Sequence, residues 1–266
     1  MESVKIFVLL SVLLAVGKWL RLRLPLLQKL YLPSSVVGGA VGLVIFSLFP
    51  SVIEQETFTG ISKLPGFLIN IIFATLFIGT AVPNVKKVVA GAFRQLCLGQ
   101  IIAWGQYVLG IGLSAFFLSK KFGVPSAFGN LLEIGFEGGH GTVGGMSSSF
   151  EEFGWHEGIQ LGYVVATIGM ITGIVVGMTL IQWAYRKGHV KKIRPYEERR
   201  LNERIGIYLR SRRPSAGSQT VCSDSIDSLA WHLAIVGVAM LIGWGLWSLI
   251  PMKGFPLFPL CMAGGV

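Results

Sequence analysis

Between Leu96 and Leu118 the chain carries no acid and no base. A run of roughly 18 or more apolar residues crosses a hydrocarbon core about 30 Å thick. One such run is compatible with a soluble protein that buries a single helix; several in series are not. The sequence predicts spans at about 4–20, 33–50, 66–83, 96–118, 158–185 and 229–250, followed by an apolar run, 255–266, that the end of the chain cuts off. Only 14% of residues are charged, against about 25% in ordinary soluble domains. The expected fold class is an all-α polytopic membrane protein.

The net charge of +10 raises nucleic-acid binding as an alternative, but no soluble basic domain carries it, so no nucleic-acid partner is expected. Cytosolic loops of membrane proteins favour Lys and Arg. Lys18, Arg21, Arg23 and Lys29 follow the first span, Lys86, Lys87 and Arg94 follow the third, and 186–213 holds eleven basic residues against Glu197, Glu198 and Glu203. Placing these three regions in the cytosol puts the N-terminus outside, with Lys120 and Lys121 a minor exception. The first 20 residues resemble a secretory signal, yet they lack a small-residue cleavage site and basic residues follow them, so they read as a retained span. Cys97, Cys222 and Cys261 are too dispersed for a disulfide framework or a zinc site.

Alternation of sides constrains 124–150. The fourth span exits outside and the 158–185 span ends inside at Arg186, so an even number of crossings lies between them. The intervening stretch is too polar and glycine-rich for an ordinary span and is read as a re-entrant hairpin from the outer side. Backbone of that kind is tolerated at membrane depth only when buried in protein or lining a cavity. The 186–228 stretch reads as a basic cytosolic linker, with surface affinity for anionic lipid as a further reading.

A weak repeat accompanies this topology. Pro33 stands five residues before Gly38 and Gly39, and Pro259 five before Gly264 and Gly265. Each element follows a span starting about 30 residues earlier, and the two preceding spans run in opposite directions. Chance similarity of glycine-rich apolar stretches is the simpler alternative; an inverted repeat of the kind found in many secondary transporters is the other. On the second reading residues 1–185 form one repeat of five transmembrane helices with its hairpin, and 229–266 are the truncated start of an inverted second repeat.

The chemistry concentrates in Glu137, Gly138, Gly139, His140, Gly141 and Thr142, followed by Ser147 and Ser148. Gly139–Gly144 matches a dinucleotide fingerprint, but no strand precedes it and no βαβ unit surrounds it. Glycine instead lets backbone amides and carbonyls approach a ligand closely. Broken helices at membrane depth present such groups to carboxylates and to sodium, and Thr142, Ser147 and Ser148 add hydroxyl oxygens. The simpler alternative is a turn that allows tight packing. Glu137 can bind a cation, carry a proton or pair with His140. Thr75 and Thr167, like Pro33, Gly38 and Gly39, read as helix-break or packing positions. An enzyme using His140 and Glu137 lacks any nucleophile constellation to join them, so no catalytic residue is assigned.

EGGHGT at 137–142, the following FEEFGW and the span VVATIGMITGIVVG resemble the bacterial sodium/glutamate symporters. LPSSVVGGAVGL at 32–43 and IIFATLFIGTAVPNVKKVVAGAF at 71–93 are similar to that family's second and third spans. The resemblance implies a homodimeric two-repeat importer in the bacterial inner membrane, taking glutamate or a related anionic amino acid with Na+ and no other cofactor. Its hairpin motif maps onto Gly138, Gly139, His140, Gly141 and Thr142. Glu137 departs from the small residue expected there. The chain is expected to be an incomplete symporter; the alternatives are a non-transporting remnant or a half needing a separately encoded partner.

Overall fold

The computed structural model describes residues 2–80, 85–190, 196, 199–208, 213, 227–252 and 254–266. Among these, every regular element is helical. In chain order they are α1 Glu2–Arg23, α2 Pro25–Lys29, α3 Ser34–Leu48, α4 Gln55–Thr75, α5 Val85–Leu113, α6 Ser119–Phe122, α7 Leu131–Phe136, α8 Gly139–Gly145, α9 Ser147–Glu152, α10 Glu157–Arg186, α11 Leu201–Ile205, α12 Ser228–Ser248 and α13 Phe258–Gly264. A π-turn over Ser114–Leu118 joins α5 to α6. Among the described residues, five helices are long and apolar enough to cross a membrane: α1, α4, α5 with its extension to Phe122, α10 and α12. Phe7, Ile101, Trp104 and Phe116 on these helices stand largely exposed, which suits a hydrocarbon solvent and not water.

Three expected spans differ in detail: the one placed at 96–118 is α5, which starts eleven residues earlier at Val85. The one placed at 66–83 is α4, which starts eleven residues earlier, runs through Pro65 and ends at Thr75. Proline lacks one backbone donor and disfavours a helix interior, yet the helix runs on through it here. Residues 81–84 lie outside the described set. The span placed at 33–50 is α3, only 15 residues long, or about 22 Å at 1.5 Å per residue. Pro33, extended at φ −63° and ψ 148°, starts it.

The chain divides into two compact units, Met1–Ser62 with Ile171–Ser218, and Lys63–Met170 with Gln219–Val266. In the first, the two ends of α1 gather different partners. At its N-terminal end the Lys5 ammonium donates to Glu54 at 2.7 Å, and the Thr57 hydroxyl donates to Glu2 at 2.7 Å. At its C-terminal end Arg21 donates to the carbonyls of Leu32 at 2.9 Å and Ile205 at 2.8 Å. Along α1 these anchors lie about 24–29 Å apart, close to the thickness of a hydrocarbon core. The basic turn after the first span and residues 199–208 therefore share one end of this unit, and Glu54 shares the other with Lys5.

Each Pro–Gly–Gly helix packs on the long helix before it in the same way. Gly38 of α3 lies against the Leu13 carbonyl of α1, and Gly17 against the backbone of Ser34 and Gly38. Gly264 of α13 lies against the Ala239 carbonyl of α12, and Gly243 against the backbone of Leu260 and Cys261. Leu13 and Ala239 both stand four residues before the contacting glycine, Gly17 and Gly243. No Cβ fits at these approaches, which is why glycine occupies all four positions. Gly39, by contrast, has open space around it.

In the second unit the core gathers Leu131, Ile134, Val143, Phe150 and Ala166, with Tyr163 and Trp155 against it. A smaller cluster joins Ala74, Ala239 and Cys261. The first core surrounds the glycine-rich segment.

Candidate functional site

The polar stretch 124–152 is broken into short helical pieces. A 3-10 turn over Ser126–Asn130 leads into α7, the chain turns at Glu137 and Gly138, α8 follows, and α9 continues from Ser147. Gly139 holds φ +75° at the start of α8, a conformation in which a Cβ is disfavoured. Four of the seven residues of α8 are glycine, at about 1 kcal/mol each against helix formation. Its helix therefore depends on packing. On one side a Cβ at Gly66 of α4 would lie 2.6 Å from the Gly144 carbonyl oxygen. On another, Gly162 of α10 meets Val143, which is fully buried.

His140 is the polar centre of α8. Its Nε2 lies 3.0 Å from the Thr167 hydroxyl of α10, which itself donates to the Tyr163 carbonyl at 2.8 Å. A hydroxyl has one proton to give, so Nε2–H is the donor to Thr167. In the neutral ring Nδ1 then carries the lone pair. The imidazole stacks on Tyr163, with centroids 6.2 Å apart and planes at 20°. Thr142 turns its hydroxyl back to the Gly138 carbonyl at 2.9 Å, satisfying an acceptor at the break. On the facing helix α4, Asn70 donates through Nδ2 to the Gly66 carbonyl at 2.8 Å. Its Oδ1 is buried and accepts no hydrogen bond among the described residues. Gly66 in turn lies against Gly144, which brings α4 close to α8.

Over residues 1–266 the sequence matches the family described as sodium/glutamate symporter. The chain belongs to that family. A sodium/glutamate symporter of Haemophilus influenzae is 25% identical over 177 residues, covering 64% of this chain and 41% of the relative. The chain thus spans about two-fifths of that relative's length. No solved structure matches.

In this member of the symporter family the candidate residues separate into groups. Gly139, His140, Gly141 and Thr142 lie half-buried in α8, and Gly138 stands exposed just before it. Glu137 is exposed and accepts from Gln106 Nε2 of α5 at 3.2 Å. Ser147 is half-buried. Ser148 is exposed and reaches the Gly254 carbonyl only at 3.5 Å, while Ser149 is buried and bonds the same carbonyl. Thr75 closes α4, donating to Ile72 at 2.9 Å. Thr167, read from the sequence as a packing position, is the partner of His140. The sequence reading does not name Tyr163 or Asn70 as site residues and offers Ser149 only as the last of a serine triplet. The i, i+4 pair Tyr163–Thr167 on an apolar helix is the signal that points to the first; nothing local distinguishes Ser149 from its two serine neighbours.

Proposed function

We propose that the chain acts in sodium-coupled symport of glutamate or a related anionic amino acid across the bacterial inner membrane, by alternating access. The observation that carries this reading is the glycine-rich helix broken at Glu137–Gly138, with Asn70 Oδ1 of α4 buried and without a donor among the described residues. Buried acceptors are rarely left without a donor, and a hard cation such as Na+ seeks uncharged oxygen ligands of this kind. The backbone of Gly138–Gly141 with the hydroxyls of Thr142, Ser147 and Ser148 would face the amino acid. His140, held by Thr167, would present Nδ1, and Glu137 would tune the affinity for the cation. Family membership over the whole sequence supports the substrate class.

In this reading 124–150 is a re-entrant hairpin from the outer side, the N-terminus is outside and 186–228 is cytosolic. The shared contacts of the α1–α3 and α12–α13 pairs favour an inverted repeat, with 1–185 as one unit and 229–266 as the start of another. A homodimer is the expected assembly.

The test is uptake of labelled glutamate into proteoliposomes, with glutamate binding by the purified chain measured alongside. We expect an inward Na+ gradient to drive uptake and Asn70→Ala to raise the Na+ concentration required several-fold. Uptake driven equally well by K+ would remove sodium from the mechanism. Neither uptake nor sodium-dependent binding would overturn the reading.

A further inference from the structure

The two Pro–Gly–Gly pairs share more than their glycines. Leu13 and Ala239, Gly17 and Gly243, Ser34 and Leu260, and Gly38 and Gly264 each stand 226 residues apart, and they meet in the same way within each pair. One spacing therefore carries the α1–α3 contact onto the α12–α13 contact. The same spacing matches Leu14 to Met240, Ser35 to Cys261 and Gly39 to Gly265.

At these three positions the pairs differ. In the second pair α4 and the turn after it cover them. Gly265 lies against the Ala74 carbonyl. Cys261 is wholly buried in a cluster with Ala74 and Ala239, and Met240 and Ile78 pack on that cluster. In the first pair Leu14 is 49% exposed, and Ser35 and Gly39 are exposed as well. A Cβ at Gly39 would meet nothing within 4 Å among the described residues. One copy of the repeated arrangement thus has a covering helix and the other has an open face of the same register. Small residues on an apolar span let the backbone of a second helix come close. At membrane depth such a partner is a helix, because its backbone groups must be satisfied internally.

We propose that the Leu14–Ser35–Gly39 face is the docking surface for an apolar transmembrane helix of the make of α4, supplied by a second, inverted unit. Its backbone approaches Gly39 as Ala74 approaches Gly265. A second copy of this chain lying the same way up is the wrong occupant, since an inverted repeat requires the covering helix to run opposite to α4. A relative of which the chain spans about two-fifths has room for such a unit. The proposal rests on the repeat reading given above and not on the transported solute.

Disulfide trapping in liposomes tests it, on the full chain with Cys97, Cys222 and Cys261 replaced by serine. The probe is a peptide of residues 55–80 carrying Ala74→Cys and inserted in both directions. With Ser35→Cys in the chain, the peptide adduct is expected to form several-fold faster than with Val12→Cys. Val12 is also exposed on α1 but lies about 200° round the helix from Leu14. Gly39→Leu should cut the Ser35→Cys rate to the Val12→Cys level and leave the unfolding midpoint of the chain in place. Gly265→Leu should lower that midpoint, since α4 fills the space beside it. Equal midpoints for the two leucine variants would remove the α4–α13 template, and the proposal with it. Equal trapping from Ser35→Cys and Val12→Cys would mean that lipid alone covers the face. Chain-to-chain disulfides in place of the peptide adduct would mean a second copy, and either result would overturn the assignment.

Discussion

Thr167 shows how much one hydroxyl organises. It takes the Nε2–H of His140 and gives its own proton to Tyr163, fixing both the ring's tautomer and its stacking. Thr167→Val keeps the shape and removes the acceptor, leaving a half-buried imidazole N–H unpaired. The expected loss is about 1–2 kcal/mol, read from the unfolding midpoint in detergent, and Thr167→Ser should recover most of it. An unchanged midpoint for the valine variant would mean that water replaces the hydroxyl. Gly144 offers a second contrast. A Cβ there would lie 2.6 Å from the Gly66 amide nitrogen and 2.9 Å from the Tyr163 hydroxyl, whereas one at Gly173 of α10 meets nothing within 4 Å. Gly144→Ala should therefore destabilise by about 1–3 kcal/mol, while Gly173→Ala should stay within about 0.5 kcal/mol of the parent. Equal midpoints for the two variants would contradict the close approach of α4 and α8.

The short helix α8 is a poor helix by composition and depends on its neighbours. Phe258 of α13 covers Gly145 and packs edge-on against Phe73 of α4, with centroids 4.9 Å apart. The chain entering α13 is tied to α9 by the Ser149–Gly254 bond. Ser149→Ala should loosen this tie, and amides of 255–258 should then exchange with deuterium faster than in the parent. Exchange confined to the parent rate would show that Phe258 packing alone holds the segment. The motif's glycines and hydroxyls could be read in order from the sequence. That 139–145 winds into a helix could not, because its local preference points the other way and the contacts that override it come from α4, α10 and α13, far off in sequence.

Across the first unit, the bonds sort residues into two sets separated by the length of α1. Lys5, Glu54 and Thr57 belong to one and Arg21, Gln28 and Tyr196 to the other. Labelling gives the sign of that arrangement. On a background with Cys97, Cys222 and Cys261 replaced by serine, Ser51→Cys is expected to react with an impermeant maleimide in intact cells. Arg200→Cys should react only after the membrane is opened. The reverse pattern would invert the orientation assigned to the chain.

The apolar runs, the basic loops and the glycine motif were legible because each is a local property. A bilayer demands a length of apolar chain, and that length is countable along 96–118 or 158–185. The limits of α4 were less legible, since helix continuation through Pro65 depends on residues on both sides of it. The Pro–Gly–Gly spacing hinted at paired helices, but the register of Gly17 on Ser34 and of Gly243 on Leu260 is a contact between elements. The same holds for His140 meeting Thr167 and for the Tyr196 hydroxyl reaching Gln28. Each joins side chains or backbone from different helices or turns, and only chain packing brings those groups within reach of one another.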